Sequence, residues 1–469
     1  MTIFLEKHFK KLIIFLSGLL IFYLSFKPVT NPDTFMGIKI GELIVQNKQI
    51  PIQDVFSWSA QGRFWNVHQW LFQSILYLLY SVGGFLAIEI FTAIISMLFF
   101  TVVISFFLRI TRNSFWTSFS LALLLYAFLY EFFIARAQVL SYLFLALSLY
   151  LIFRQLLNNK NKQPFFKNPL LLTLPITFLW VNSQASFIFL PLLLFAYGIV
   201  YIWKNPKLSR NLFLLGLLNI LVSLFPPRFF LPYQLLIDFF KGSNTLASII
   251  NEWKPVTQST YFLPYLSFLT ILAGIFAYSK KRLVIFLLPL LVLMLLPFQA
   301  VRHIPYGLVS GFFTLGFLIE NLSIKRKFPK ALALGFIIFL SFWLIYQKRV
   351  ETQIAYSNLP IKAISQLKNS NEKIYNDFRL GGFLIYFLYP KQQVFLDSRA
   401  EVYLCCEMKD LARSTENFHS FLEKYQFSKM VLERPNSTNK QMIDYLLSSK
   451  DWKISYFDKQ VLIFDRIRP

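Results

Sequence analysis

The sequence predicts an α-helical polytopic membrane protein with about eleven transmembrane helices and a small C-terminal α/β domain. Two observations favour this fold class. Of the 469 residues, 56% are hydrophobic and only 15% are charged, whereas soluble domains carry about 25% charged residues. The apolar residues are also gathered in runs of the length that crosses the hydrocarbon core of a bilayer. Lipid is therefore the expected solvent for most of this surface.

Eleven apolar runs are predicted spans. They cover 12–26, 86–108, 115–133, 139–153, 170–181, 187–203, 212–225, 261–278, 283–298, 306–318 and 331–346. No small-residue cleavage site follows the first run, so we interpret it as a retained signal anchor. Residues 1–346 then form a transmembrane domain, with a long first outer loop at 27–81.

The formal charge of +24 is explained by topology. Every second loop is basic, and these six segments hold 19 basic residues against two acidic ones, Glu6 and Glu320. Because cytoplasmic loops collect Lys and Arg, this alternation predicts a cytoplasmic N-terminus and an extracytoplasmic tail. The basic residues form no single patch, so nucleic acid is not an expected partner. Heavy use of Lys, Ile, Asn and Phe is typical of AT-rich bacterial genomes, which favours a bacterial plasma membrane.

The tail, residues 347–469, predicts a small extracytoplasmic α/β domain. Helical patterns at 361–367, 418–425 and 440–448 alternate with strand-like runs at 373–376, 394–397, 429–433, 452–457 and 461–465. We expect the adjacent Cys405 and Cys406 to be buried thiols, without a disulfide framework or a metal site. Four charged residues of the tail form either a buried ion-pair network or an acceptor contact: Asp377, Arg379, Asp397 and Arg399.

The first outer loop contains the strongest candidate for a catalytic acid. Apolar residues at helical spacing over 33–44 predict a short amphipathic helix lying on the membrane surface. Asp33 opens this helix, where its carboxylate would reach the head group of a lipid-linked substrate as a general base or a metal ligand. The alternative is that Asp33 or Asn31 caps the helix.

Three further residues of this loop are candidates. Asp54 is either an assisting catalytic acid or the first residue of an Asx turn, and Arg63 is either a substrate ligand or a surface contact. His68 opens a second helix that is rich in aromatic residues, where it is either catalytic or structural.

Candidate substrate-binding residues also stand at the outer ends of the spans. Arginine suits a phosphate diester, and snorkelling to lipid phosphates is the competing explanation. Glu252 and Trp253 lie in a second outer loop, which either closes over a site or is a plain connector. Polar groups within spans are costly and often functional, and Glu89 and Gln138 are of this kind. The cationic candidates are Arg136, Arg228, Arg302 and His303.

Motifs along nearly the whole chain resemble a known superfamily. They are Asn31-Pro32-Asp33, Gly41-Glu42, Asp54-Val55-Phe56-Ser57, Val67-His68-Gln69-Trp70-Leu71, Asn376-Asp377-Phe378, Gly381-Gly382-Phe383-Leu384 and Asp397-Ser398-Arg399-Ala400-Glu401-Val402-Tyr403. In this order they resemble the GT-C superfamily of polytopic glycosyltransferases, and most closely a group of bacterial members that end in an extracytoplasmic α/β domain.

The resemblance implies that a hexosyl or pentosyl group moves from a polyprenyl-phosphate donor to a glycan, lipid or protein acceptor of the cell envelope. It implies Asp33 as the acid, with Asp54 and His68 assisting, while Arg136 and Arg302 hold the donor phosphate. Asn31, Gly37 and Gln69 stand where the bacterial group carries an acid, a histidine and a glutamate. With these departures, the alternatives are a divalent cation held at Asp33 and a reaction without a metal. The alternative function is a non-catalytic transporter or scaffold for envelope polysaccharide, although no self-similar halves typical of transporters are visible.

Overall fold

A computed structural model describes residues 2–111, 115–157, 168–225, 227, 229–278, 284–321, 330–355, 359–367, 372–414, 418–434 and 439–467. Over these residues the chain is mostly helical, with a small sheet near its C-terminus.

Twenty α-helices follow one another in the described residues. They are α1 (Thr2–Ser25), α2 (Pro32–Asn47), α3 (Trp70–Ile110), α4 (Phe115–Leu129), α5 (Gln138–Leu157), α6 (Thr173–Ser183), α7 (Phe189–Tyr201), α8 (Pro206–Ser223), α9 (Leu231–Lys241), α10 (Ser243–Ile249), α11 (Phe262–Tyr278), α12 (Val284–Leu295), α13 (Ile304–Asn321), α14 (Lys330–Ala355), α15 (Ile361–Ser365), α16 (Leu380–Leu388), α17 (Ala400–Tyr403), α18 (Glu407–Ser414), α19 (Phe418–Tyr425) and α20 (Lys440–Ser448). The strands are β1 (Ile374–Asn376), β2 (Lys429–Glu433), β3 (Trp452–Phe457) and β4 (Val461–Arg466).

The apolar helices make this a multi-pass membrane protein. In the described part of the chain, four helical stretches are long and apolar enough to cross a bilayer: His8–Ser25, Trp70–Ile110, Phe115–Phe132 and Gln138–Leu157. Shorter apolar helices occur at Pro169–Ser183, Ala185–Tyr201, Phe262–Ala277 and Leu287–Phe298. The helices found here overlap all eleven predicted spans, while the number that cross the membrane stays a prediction.

The chain divides into two compact units. The first, here called the helical unit, consists of Met1–Lys27, Leu86–Phe230 and Glu252–Thr352. The second, here called the mixed unit, consists of Pro28–Phe85, Leu231–Asn251 and Gln353–Pro469. The first outer loop thus belongs to the same unit as the C-terminal tail. Helix α3 is interrupted near this division at Gly84, whose φ of +60° and ψ of −150° suit only glycine.

Polar contacts join helices inside the helical unit. Thr177 of α6 donates a hydrogen bond to the Asn219 Oδ1 atom of α8 over 2.6 Å, and Asn219 donates one to Thr173 over 3.0 Å. Lys348 of α14 donates to the carbonyl oxygen of Phe26 over 2.8 Å, just beyond the end of α1. An ammonium group at a helix C-terminus satisfies carbonyl groups that have no partner within the helix.

The mixed unit contains a four-stranded sheet in the order β1-β2-β4-β3. β1 and β2 are parallel, with Ile374 opposite Lys429, and the other neighbours are antiparallel. The predicted small α/β architecture is therefore present. The predicted strand at 394–397 is wrong, because this segment lies outside the sheet and forms only one bridge, between Val394 and Ser57 of the first loop.

Helix α2 packs against α16 within the mixed unit. The apolar residues Met36, Ile40 and Ile44 of α2 are buried in protein. The helix itself was predicted correctly, but the expectation that its apolar face lies on the membrane is wrong, because protein covers that face. The close approach depends on Gly382, where a Cβ atom would lie 2.4 Å from the carbonyl oxygen of Pro32.

Substitution of Gly382 by alanine should destabilise the protein by about 1–3 kcal/mol, because the added methyl group meets backbone rather than a movable side chain. Thermal unfolding of the full chain in detergent measures the effect. Gly274→Ala is the matched control, since no atom lies within 4 Å of its added Cβ. Equal unfolding temperatures of the two variants would contradict this packing.

Candidate functional site

The candidate site residues fall into two groups, one in each unit. The mixed unit holds Asp33, Asp54, Arg63 and His68, and the helical unit holds Arg136, Gln138, Glu252, Trp253, Arg302 and His303. Each group is described within its own unit. Arg228, a further predicted cation, lies outside the described residues.

Asp33 is the second residue of α2 and is half-buried. The cap of this helix is Asn31, whose side-chain oxygen accepts a hydrogen bond from the backbone N–H of Asp33 over 2.9 Å. Pro32 occupies the first helical position, where a missing N–H costs nothing. The Asp33 carboxylate is therefore not the cap of α2, and it adds negative charge where the helix dipole favours it.

Asp54 lies in a buried ionic cluster, here called the Arg399 cluster, with Arg399, Asp397 and Tyr403. All four side chains are nearly inaccessible to solvent. Arg399 Nη1 is 2.5 Å from Asp54 Oδ1, and Arg399 binds both carboxylate oxygens of Asp397 at 2.8 and 2.6 Å. Tyr403 donates to Asp397 over 2.6 Å. Burial alone would lower the pKa of Arg399, but Asp397, Tyr403 and Asp54 raise it well above its ordinary value.

The backbone around Asp54 also binds its carboxylate. The N–H groups of Phe56 and Ser57 donate to it over 3.2 Å each, which is the predicted Asx turn. This saturated environment favours a structural role for Asp54, and its assignment as a catalytic acid stays a prediction.

Arg63 is held by Glu407 rather than left open to a ligand. Its two terminal nitrogens bind the two carboxylate oxygens of Glu407 at 2.6 and 2.8 Å, and one of them also donates to the carbonyl oxygen of Val402. The hydrogen bond to Glu407 raises the pKa of Arg63. No local pattern marks Glu407 as the partner of Arg63, because only the packing of the tail on the loop brings the two together.

His68 precedes α3 and contacts an acid of the tail. His68 Nδ1 is 3.5 Å from Glu401 Oε1, and the Trp65 indole donates to the same oxygen over 3.3 Å. Gln69 lies 3.1 Å from His68 Nε2. Glu401 is part of the quoted tail motif, yet its pairing with the loop was not predicted.

In the helical unit, Arg136 is paired with Glu252. Arg136 Nη1 donates to Glu252 Oε1 over 2.6 Å. Arg136 stands two residues before α5, whose first residue is the half-buried Gln138. Glu252 follows α10 in a short 3₁₀ turn, Asn251–Trp253, so the second outer loop supplies one acid to this unit.

Arg302 stacks on Trp253 with 4.6 Å between the guanidinium carbon and the ring centre. Its guanidinium donates no hydrogen bond and forms no salt bridge to the described residues, although it lies within electrostatic range of Glu252 and Arg136. His303 follows it, outside the predicted spans, where burial and Arg302 lower its pKa to about 4 and keep the imidazole neutral. These residues immediately precede α13, so Arg302 stands at a helix N-terminus.

The remaining tail residues form separate contacts. Asp377 accepts hydrogen bonds from Asn439 and from the backbone of Glu433 over 2.8 and 2.7 Å, and burial raises its pKa to about 7. Arg379 is exposed, 3.7 Å from Glu433. The prediction that Cys405 and Cys406 are buried is wrong, because both are exposed at the end of α17.

Loss of one partner in the Arg399 cluster should strongly lower the stability of the protein. Asp54→Ala should lower the free energy of unfolding by about 3–5 kcal/mol, because it leaves a buried charge short of a partner. In a double-mutant cycle, Asp54→Ala with Arg399→Met should recover part of this loss. Denaturant unfolding of the full chain checks both values.

The matched control is Lys424→Ala, which removes an exposed ion pair with Asp410 and should cost less than about 1 kcal/mol. A loss of that small size in Asp54→Ala would contradict the structural importance of the buried pair.

No protein-family model matches the chain, and no curated protein matches its sequence. Several solved structures are similar in fold, and two of them are the following. The archaeal oligosaccharyltransferase AglB from Archaeoglobus fulgidus, in complex with an inhibitory peptide and a dolichol-phosphate, aligns with a TM-score of 0.61 and 11% identity over 91% of this chain and 70% of its own. ArnT from Cupriavidus metallidurans, bound to undecaprenyl phosphate, aligns with a TM-score of 0.53 and 11% identity over 97% of both chains. At 11% identity these similarities show that the chain shares the fold of these two solved structures.

Proposed function

We propose that this protein is a membrane glycosyltransferase that uses a polyprenyl-phosphate-linked sugar. The observation that carries the proposal is the Arg302 guanidinium, which stacks on Trp253 and donates no hydrogen bond to the described residues. A phosphate group would accept the hydrogen bonds that this planar fork offers. The similarity in fold to proteins solved with dolichol-phosphate and undecaprenyl phosphate supports this choice of ligand.

The surroundings of Arg302 suit an anion. Arg136 adds a second positive charge, of which Glu252 neutralises part. Arg136 and Arg302 both stand just before a helix, α5 and α13 respectively, where unpaired backbone N–H groups carry partial positive charge. Trp253 holds the Arg302 side chain in place and leaves the guanidinium edges available for hydrogen bonds.

Asp33 is the proposed general base. It would accept the proton of an acceptor hydroxyl while the oxygen of that hydroxyl attacks the anomeric carbon of the donor sugar. The bond from this carbon to the phosphate oxygen then breaks, and polyprenyl phosphate leaves with the bonding electron pair. This single displacement inverts the anomeric centre.

The residues around Asp33 do not fit a divalent cation held by this chain alone. In the described part of the chain, one group of three potential metal ligands occurs, Cys405, Cys406 and Glu407, and Asp33 is not among them. Glu407 is also engaged by Arg63. We therefore derive no step through a metal. In the proposal, Asp54 and Arg63 hold the first loop in shape, and His68 assists Asp33.

The proposed setting is the outer face of a bacterial plasma membrane, with the acceptor a glycan, lipid or protein of the envelope. The alternation of basic loops along the sequence supports this orientation.

Asp33→Asn should reduce sugar transfer at least about 100-fold, because a general base contributes at least that much, while folding is preserved. Mass spectrometry of envelope glycans and lipid-linked sugars, in cells carrying only the variant, measures the loss. Glu42→Gln is the control, since Glu42 lies on the same helix in a salt bridge with Lys39. Full transfer by Asp33→Asn would refute its role as base.

Arg302→Ala should weaken binding of a polyprenyl phosphate about 10- to 100-fold, because the lost hydrogen bonds are to a charged group. Titration calorimetry in detergent micelles measures it, with the corresponding polyprenol as the reference that lacks a phosphate. Arg210→Ala removes the same charge from an exposed position of the same unit and should bind normally. If the Arg302 and Arg210 variants bind alike, the proposed phosphate site is wrong.

A further inference from the structure

A buried tyrosine beside the two arginines has a hydroxyl to which none of the described residues is hydrogen-bonded. Tyr142 lies on α5, one helical turn after Gln138, and its side chain is only 3% exposed. Its ring is clamped between Phe133 and Tyr306, with centroid distances of 6.0 and 5.6 Å. These contacts fix the direction in which its hydroxyl points.

The Tyr142 hydroxyl forms no hydrogen bond with any residue that the structure describes. Neighbouring polar groups of the helical unit are paired. The Tyr306 hydroxyl donates to Ser186 over 3.0 Å, Ser186 donates to Ser141 over 3.0 Å, and the Trp180 indole donates to Ser141 over 3.0 Å. The Tyr142 hydroxyl is therefore available to donate a hydrogen bond to a ligand.

The charges around Tyr142 are those of the proposed phosphate site. Tyr142 lies within electrostatic range of Arg136, Arg302 and Glu252. It also lies in the second turn of α5, one turn from the N–H groups at the helix N-terminus. A hydroxyl in this setting meets a net positive field, which attracts an anion rather than a second cation.

We propose that Tyr142 is a phosphate-binding residue that donates its hydroxyl proton in a hydrogen bond to a phosphate oxygen of the polyprenyl-phosphate donor. This rests on the proposed function and adds a residue to its phosphate site. Phosphate oxygens accept hydrogen bonds, and a neutral donor orients the group without adding charge. The aromatic clamp from Phe133 and Tyr306 would pre-organise this donor, so that little side-chain entropy is lost on binding.

The sequence carried a signal for this residue. Tyr142 follows Gln138 by four positions, so the two share one face of α5. Tyrosine within a predicted span is commonly an interfacial anchor, and only the tertiary structure shows that this tyrosine is buried against the arginines instead.

Tyr142→Phe tests the proposal, because it removes the hydroxyl and leaves the ring in its clamp. We expect polyprenyl phosphate to bind about 10- to 100-fold more weakly, whereas the corresponding polyprenol binds unchanged. The control is Tyr197→Phe, the same substitution at another fully buried tyrosine of the helical unit. The unfolding temperature of each variant shows whether the fold is intact.

The outcomes separate this inference from the proposed function. Weaker phosphate binding in both Arg302→Ala and Tyr142→Phe supports both. A loss in Arg302→Ala alone overturns the role of Tyr142 and leaves the phosphate site standing. Normal binding in both variants overturns the site as a whole. Equal losses for the phosphate and the polyprenol in Tyr142→Phe would show a packing role and overturn the inference.

Discussion

The mixed unit depends on one buried guanidinium. Arg399 stands two residues after Asp397, and its side chain binds Asp397 of the tail and Asp54 of the first loop while its plane faces Trp65 at 4.5 Å. Residues about 340 positions apart in sequence are thereby joined. Since each buried charge would be costly alone, loop and tail are stabilised together, and a second pair, Arg63 with Glu407, reinforces the same connection.

Arg399 of the mixed unit and Arg302 of the helical unit differ in how many of their guanidinium N–H groups have acceptors within the protein. Hydrogen-bond acceptors of the protein itself surround the Arg399 guanidinium, so the role of Arg399 is structural. Arg302 has an aromatic partner on its face and no hydrogen bond to the described residues. An arginine side chain therefore stabilises the fold at position 399 and is available to a ligand at position 302. The number of acceptors around a guanidinium distinguishes these roles better than its position in a motif.

Several residues in the motifs that resemble the GT-C superfamily turn out to serve packing. At Gly41 a Cβ atom would lie 2.0 Å from the carbonyl oxygen of Gln73, and Gly381 and Gly382 allow equally close backbone contacts. The tail motif around Asp397 supplies the ionic cluster rather than an exposed site. The motifs thus mark segments that pack closely within the mixed unit, and the contacts of their side chains are visible only in the structure.

The sequence alone determined the membrane fold and most of the tail, since apolar runs and period-2 strands are local patterns. The strands at 429–433 and 452–457 were predicted to the residue. Only the tertiary structure decided that Val394 pairs with the first loop instead of joining the sheet, that α2 turns its apolar face to α16, and that Asp54 meets Arg399. These are contacts between distant segments, and no local pattern encodes which partner a buried charge or an apolar face will find. The environment of the Tyr142 hydroxyl is of the same kind, because which of the described residues surround it depends on tertiary contacts.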